Sequence, residues 1–388
     1  MGSIPKQADV VIIGGGVIGV SIAYYLAKRG IGRVVLFEKD ILGSGSTGKC
    51  AGGIRTQFST DINIDFSLAS LKVFEQFQAE FGVDPEFHPV GYLFLAAREN
   101  QWSLLRANAR LIQAKGVRIE LMTPDEIKGH WPFIRVDDIL GGSFTVNDGY
   151  AGPHEVLQGF AAGARRLGVI IKEGVAVAGV QIKKGRVQAV ECATGERVIT
   201  SVVVNAAGPA AAEVGAMVGI DLPVRPLKRH LFFTENFDEL PDQFPLTIDM
   251  EQSWYMRREG KGLLLAGPQD SNGSLDIDND FEAREWTARR SVRRVPVLEH
   301  AGIAGGWTGL YEISPDHHAI IGSWPEAEGF VCANGFSGHG FMHSPAVGMA
   351  VAELISEGES RTLDIRPFSP LRFREGNLIH EPMTAFQD

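Results

Sequence analysis

Residues Asp9 to Asp40 read DVVIIGGGVIGVSIAYYLAKRGIGRVVLFEKD, and this stretch decides the fold. Asp9–Ile13 is short and β-branched, the pattern of a strand buried in a parallel sheet. Val17–Arg29 places Ile18, Ile22, Tyr25 and Leu26 on one helical face, and Gly30 suits the stop. Arg33–Phe37 repeats the strand pattern and ends at Glu38. The prediction is a strand–helix–strand unit. Its glycines have separate jobs: Gly14 permits a tight turn, Gly16 lets backbone approach a pyrophosphate, and Gly19 lets helix and strand pack closely. The helix start, at Val17 and Ile18, offers free N–H groups and a positive dipole end to that anion. Glu38, followed by Lys39, can accept hydrogen bonds from both ribose hydroxyls and would repel a 2′-phosphate, which disfavours NADP. At this step NAD and FAD both remain open.

The chain has 388 residues and a net charge of −10, enough for more than one domain and a poor match to nucleic acid or an anionic membrane. Cys50, Cys192 and Cys332 lie far apart, so neither a disulfide framework nor a zinc site is expected. The first apolar run is broken by glycines, lacks the features of a signal peptide, and no segment reaches the ~20 apolar residues of a membrane span. The expectation is a soluble, cytoplasmic protein.

Beyond the opening unit, Leu42–Phe58 is too glycine-rich for a regular element and belongs beside the dinucleotide. Helices are expected over Asn63–Phe81, Gln101–Lys115 and Glu155–Leu167, with Thr123 capping another. Strands are expected at Val90–Ala97, Ile170–Lys172, Val175–Ile182 and Val187–Ala193, and Leu227–Gly267 is strand-rich. Arg197–Gly219 and Phe330–Ile355 each read as strand, glycine turn and helix, and the tail after Leu371 reads as irregular. Nucleotide-type elements at the start, middle and end imply a discontinuous domain holding a second, strand-rich one.

Four stretches carry a family resemblance: GGGVIG with Glu38; GSGSTGKCAGGIRTQF (Gly43–Phe58); VVNAAGPAA (Val203–Ala211); and the pair WTGLYEISPDHHAIIG (Trp307–Gly322) with GFSGHGFMHSPAVG (Gly335–Gly348). Over nearly its whole length the chain resembles the D-amino-acid oxidase superfamily of FAD enzymes. Within it the chain is most similar to the sarcosine oxidase and glycine oxidase group, and to FAD-carrying β-subunits of sarcosine oxidases and proline dehydrogenases. The resemblance implies an α/β fold: a glutathione-reductase-like FAD domain (residues 1–85, 145–225 and 313–388) with an inserted domain of mixed sheet plus helices that roofs the flavin (86–144 and 226–312). It selects FAD. It also implies the contacts: Gly14, Gly16 and Glu38 on pyrophosphate and ribose; Ser46, Thr47, Lys49, Cys50, Ala51 and Gly52 along the pyrophosphate and flavin; Val177 at adenine; Ala206 and Gly208 at the second glycine turn; and Gly338, His339, Gly340, Phe341 and Met342 against the ring.

The implied reaction is amine oxidation, with hydride passing from the substrate C–H to flavin N5 and water hydrolysing the imine. Arg55 matches the arginine that binds the substrate carboxylate, a task suited to a bidentate cation. Tyr311 matches a roofing tyrosine of sarcosine oxidases, and Tyr255 is a second candidate in the substrate site. Three positions depart from that pattern. Gly309 stands where monomeric sarcosine oxidases attach FAD through cysteine, so non-covalent FAD is expected. Met342 and Leu264 stand where those enzymes place lysines that assist the carboxylate and activate oxygen, and Lys49 is the candidate replacement cation. Cys50 and Cys332 are better read as inert buried thiols. His339 and His343 are four apart, but a glycine turn is expected there instead of the helix an HxxxH metal pair needs, so no metal site is expected. His317 and His318 read as exposed or packing residues of a turn capped by Asp316. The predicted activity is FAD-dependent oxidation of a sarcosine-like secondary or N-methyl amino acid, with molecular oxygen reoxidising the flavin. The alternatives are a proline-type dehydrogenase subunit passing electrons to a partner, and a non-enzymatic flavin-bearing interaction protein.

Overall fold

The opening unit forms as Val10–Ile13, Val17–Lys28 and Val34–Phe37 in the computed structural model, which describes residues 3–270 and 281–383. Every residue of both strands is buried, as their uninterrupted apolar sequence requires. Val10–Ile13 runs parallel to Val34–Phe37 on one side and to Val203–Asn205 on the other. Ile170–Lys172 and Ala327–Asn334 extend this parallel core outward. Arg186–Cys192 joins Ala327–Asn334 in parallel, and Val177–Lys183, Arg197–Ile199 and Ile320–Trp324 add antiparallel pairings that complete a nine-stranded sheet among the described residues.

One face of this sheet is covered by helices. Val17–Lys28 crosses Gly340–Glu357 so closely that a Cβ on Gly348 would fall 2.2 Å from Ser21 Oγ, and Ser21 Oγ instead donates to the Ser344 carbonyl (2.8 Å). Beside them, helix Asp61–Phe81 contributes Phe77 and Phe81, which pack with Tyr24 and Phe160, and Phe74, which packs with Phe87 and Phe341. Truncating one of these buried rings to alanine costs about 3–5 kcal/mol.

A second sheet stands over the C-terminal ends of the parallel strands. Its order is Ile303–Ile313, Arg225–Thr234, Gly262–Asp270, Trp254–Glu259, Leu246–Asp249, Tyr92–Ala96, Gly141–Thr145, Ile119–Met122. All neighbours are antiparallel except Leu246–Asp249 with Tyr92–Ala96. Strands of the first sheet come from residues 10–37, 170–205 and 320–334, and those of the second from 92–145 and 225–313. Residues 1–2 and 384–388 of the expected FAD domain, and 271–280 of the expected roof domain, lie outside the described residues.

Three local readings change. Leu42–Phe58 is more regular than its glycines suggest: it holds a 3-10 turn, Thr47–Lys49, and a short strand, Gly53–Ile54, paired with Gly149–Tyr150. A helix begins at Gly340 with His339 as its N-cap, because left-handed Gly338 (φ 91°) closes the preceding turn one residue sooner. His339 and His343 are therefore one helical turn apart, although no group of three metal-ligating side chains occurs among the described residues. Asp316 does more than accept the His318 N–H (3.3 Å): it forms a buried two-pronged ion pair with Arg372 of the tail (2.7 and 2.8 Å). His318 is buried and His317 half-buried. No helix among the described residues is long and apolar enough to cross a membrane.

Candidate active site

The glycine unit and the loop after it make the floor of one long cleft. Gly14 has φ 114°, and a Cβ there would sit 2.2 Å from the Ala206 carbonyl, so the two glycine turns touch. A Cβ on Gly19 would fall 2.0 Å from the Gly14 carbonyl, which is the helix–strand contact its position predicts. Gly16 is different: its nearest neighbour in that direction is Thr47 Oγ1 at 3.2 Å, on the cleft side. Gly16 is also the N-cap of its helix and has no side chain of its own to cap it; Thr47 Oγ1 takes the first N–H, that of Val17. The helix dipole and the remaining first-turn N–H groups are free for an anion. Glu38 Oε2 accepts the Gly15 N–H (2.7 Å) and Oε1 the Asp40 N–H (2.9 Å). Each oxygen keeps a lone pair for a ribose hydroxyl.

The loop Leu42–Phe58 is held from both sheets. Thr47 Oγ1 accepts the Val17 N–H (3.0 Å), and Ser46 Oγ donates to the Leu310 carbonyl (2.6 Å). Trp307 Nε1 donates to the Lys49 carbonyl (2.9 Å), and Arg257 Nε to the Ala51 carbonyl (2.6 Å). Buried Asp148 accepts the Thr56 N–H (2.9 Å) and hydroxyls of Thr56 and Thr145 (2.9 and 2.5 Å). Burial pushes the Asp148 carboxyl up to about 6 despite these donors. Glu381 of the tail accepts the Ser59 N–H (2.8 Å), Thr60 Oγ1 (2.9 Å) and Asn63 Nδ2 (3.1 Å), bracing the loop from behind.

The cleft has two halves. One, an open trough of about 1340 Å³ counting the space open to solvent, is lined by Gly14, Gly16, Glu38, Lys39, Ala206 and Gly208 among others. The other, about 1080 Å³, is lined by Cys50, Ala51, Gly52, Arg55, Tyr255, Gly309, Tyr311, Gly338, His339, Gly340, Phe341 and Met342 among others. Val17, Ile18, Ser46, Thr47 and Lys49 line both, so the halves are continuous. Every expected site residue lines this cleft except Val177. That residue starts the strand Val177–Lys183 opposite Cys192, while Val175, two positions earlier, donates its N–H to the Glu38 carbonyl (2.9 Å). The helix start, the bare Gly16 and the Glu38 carboxylate suit the pyrophosphate and adenosine ribose of FAD in the first half. The second half is lined by Gly338–Met342, the segment expected against the flavin ring.

Arg55 is buried, 3% exposed, with its guanidinium 4.0 Å from the Phe58 ring centroid. One terminal nitrogen donates to the Gln57 carbonyl and the other faces His339 Nε2 (3.3 Å). It forms no ion pair with a side chain among the described residues. Burial lowers its pKa, yet a guanidinium stays charged in a protein. His339 is held well below its ordinary range, first by burial and then by Arg55, so its ring is neutral and Nε2 accepts from Arg55. His343 is pushed down to about 3 by burial and pairs with Ser67 Oγ (2.9 Å). Burial raises Tyr92 and Tyr255 above the ordinary phenol range, so both keep their protons. Burial also lowers the Lys49 ammonium and pushes the Cys50 and Cys332 thiols up to about 11 and 12. Cys332 lies against Trp324, under the first sheet.

Among the polar side chains lining the second half, Tyr92, Arg229 and Glu312 escaped the sequence reading. Glu312 lines both halves and accepts the Gly335 and Phe336 N–H groups, while burial pushes its carboxyl up to about 7 and its Oε2 has no partner. Its only sequence signal was its place beside Tyr311.

Comparison with known proteins matches this architecture. A family model described as FAD dependent oxidoreductase matches residues 9–354. The chain is 34% identical to FAD-dependent oxidoreductase domain-containing protein 1 of Xenopus laevis, over 95% of this chain and 83% of that protein. It is 31% identical to mitochondrial dimethylglycine dehydrogenase of Rattus norvegicus, over 95% of this chain and 45% of that protein. Among solved structures, L-proline dehydrogenase from P. horikoshii superposes with a TM-score of 0.91 at 32% identity, covering 97% of this chain and all of that one.

Proposed function

This chain belongs to the FAD dependent oxidoreductase family, and we propose that it oxidises the C–N bond of a small N-alkyl amino acid of the sarcosine type. The observation that carries this is Arg55, a buried cation with no ion-pair partner among the described residues, on the wall of the ring-binding half of the cleft. An anionic substrate group would complete it, and a carboxylate matches its planar fork. The named activities of the dimethylglycine and proline dehydrogenases support an amine whose nitrogen carries a second carbon.

FAD, when bound, supplies the acceptor for the hydrogen and two electrons that leave the substrate's C–H bond. The chain supplies position and charge. Arg55 fixes the carboxylate, and neutral His339 holds Arg55 through Nε2. Tyr92, Tyr255 and Tyr311 surround the space beyond, with the first two firmly protonated. Leu231, Leu264 and Ala266 make the roof apolar. A buried, apolar site favours the uncharged amine, the form that can give up the C–H hydrogen. The titratable side chains at the junction of the two halves are Glu312, raised by burial to about 7, and Lys49, lowered by burial.

The acceptor that reoxidises the flavin has a second reading. Leu264, fully buried in the roof, leaves no cation above the ring at that position, which favours an electron-accepting partner over oxygen. A panel of amines mixed anaerobically with the purified flavoprotein tests the first proposal: sarcosine, N,N-dimethylglycine and proline bleach the flavin, and simple amines without a carboxylate bleach it much more slowly. Equal rates with and without the carboxylate would overturn it. Readmitting air to the bleached sample then separates acceptors: slow recoloration, sped by a redox dye, supports the partner.

A further inference from the structure

Arg229 is a second buried cation in the same half of the cleft, and its hydrogen bonding is incomplete. It lies on strand Arg225–Thr234 directly opposite Gly309, in a register that also pairs Leu231 with Trp307 and Leu227 with Tyr311. Cross-strand partners share a face of the sheet, so Arg229 projects on the side of Tyr311 and Trp307, toward the cleft. Gly309 has no side chain there, and Lys49 of the cleft loop packs against it instead. Arg229 is 4% exposed. One terminal nitrogen donates to the Ser253 carbonyl (3.1 Å), its plane lies 5.5 Å from the Tyr255 ring centroid, and its Nε has no partner.

Other buried arginines of this chain are better satisfied. Arg258 donates to the carbonyls of Pro241, Phe237, Lys261 and Leu240. Arg257 pairs with Glu259, Arg294 with Asp249 and Asp138, and Arg372 with Asp316. Arg229, like Arg55, forms no ion pair among the described residues, and both line one cavity. They occupy different stations on its wall: Arg229 stands beside the Tyr255 ring, whereas Arg55 stands over the Phe58 ring and near Phe94. A buried cation left unpaired is costly unless a ligand supplies its counter-charge.

We propose that the preferred substrate is an amino diacid, whose second carboxylate is held by Arg229 while Arg55 holds the first. This deepens the N-alkyl amino acid reading and rests on it. The second acid group sits on the nitrogen substituent or on the side chain, and the cavity serves both.

Binding without turnover gives the test. Thiodiacetate and (methylthio)acetate, which carry sulfur in place of nitrogen, are titrated into the FAD-loaded protein and followed by perturbation of the flavin spectrum. Thiodiacetate binds at least tenfold more tightly, within the range of about 10–100 expected of one charge-assisted contact. Arg229→Gln abolishes the preference and leaves (methylthio)acetate affinity and flavin content intact. Equal affinities in the wild type, or equal losses for both ligands in Arg229→Gln, would overturn the inference. Should Arg229→Gln not fold, Arg229→Lys keeps the cation and loses the fork: the preference falls, and an unchanged preference overturns the inference. N-carboxymethylglycine and N-methylaspartate against sarcosine in anaerobic bleaching then locate the second acid group. Sarcosine bleaching without any gain for either diacid overturns this inference and leaves the N-alkyl reading standing. No bleaching by any amine, with the thiodiacetate preference intact, overturns that reading and keeps the two-cation pocket.

Discussion

Replacing Arg55 by methionine removes one charge from the cleft and keeps much of the side chain's length. In the wild type the guanidinium is desolvated and lies over Phe58 at 4.0 Å, with His339 and the Gln57 carbonyl as its partners. A carboxylate arriving there gains a desolvated, two-pronged ion pair, and truncating one side of such a pair costs about 2–5 kcal/mol. At about 1.4 kcal/mol per tenfold, that is a weakening of roughly 30- to 5000-fold for carboxylate substrates. Effects on folding oppose one another: the variant relieves a buried charge but loses the contact with Phe58, worth about 1 kcal/mol, and orphans a carbonyl. The melting temperature therefore moves little. His339 stays neutral, because burial is the first cause of its depression and Arg55 the second. Anaerobic stopped-flow separates the dissociation constant from the limiting bleaching rate, and N-methylglycine is compared with N-methylethylamine, which lacks the carboxylate. The expected result is a large rise in dissociation constant for the acid alone. Equal weakening of both amines would refute the carboxylate role, since a merely structural Arg55 disturbs them alike.

Glu312 gives a pH signature. Its carboxyl is raised from 4.5 to about 7, so its contribution to stability is full below the unfolded value and is lost as pH rises through about 7. Glu312→Gln should remove that component, up to ~3 kcal/mol, so the stabilities of variant and wild type should separate progressively between about pH 4.5 and 7 and stay apart above; parallel curves from pH 4 to 8 would refute it. Gly14→Ala places a Cβ 2.2 Å from the Ala206 carbonyl and should abolish flavin retention, while Gly30→Ala, at φ 78° with no atom within 4 Å, should lose only about 1 kcal/mol of stability and keep its flavin. Equal flavin content in the two would count against the contact between the glycine turns. Acid precipitation should leave the flavin in the supernatant, because a side chain at Gly309 would meet Lys49 at 3.2 Å and none is there to form a bond; a yellow pellet would show a covalent link elsewhere.

What could be read from the sequence was local or carried by the resemblance. Gly14, Gly16, Gly19 and Glu38 lie within one strand–helix–strand unit, so spacing alone assigns their jobs. Arg55, Tyr311 and the Gly338–Met342 turn came from matching motifs. Arg229 was hidden because a charged residue in an alternating strand faces solvent or cleft according to register, and that register is set by pairing with Ile303–Ile313. Tyr92 needs the same knowledge. The Asp316–Arg372 pair and the grip of Glu381 on Ser59 and Thr60 join segments too far apart for periodicity to reveal. The helix start at Gly340 was obscured by its glycines, which read as a turn until Gly338 was seen to close it.

The parallel core of the first sheet also constrains how the protein comes together. Val11 pairs with Val203, and Val203 in turn with Phe330. The strand that carries the glycine motif thus has as neighbours one strand close by in the chain and one from its middle, which itself leans on a strand near residue 330. Loop-closure entropy must be met before such distant pairings return any energy, and that slows assembly. Asp9–Asp40 has the glycines and the carboxylate proposed to hold pyrophosphate and ribose, yet by itself it would leave apolar edges on both sides. Flavin uptake during refolding should therefore lag behind helix formation and coincide with closure of the strand around Phe330, reporting on the completion of the whole chain.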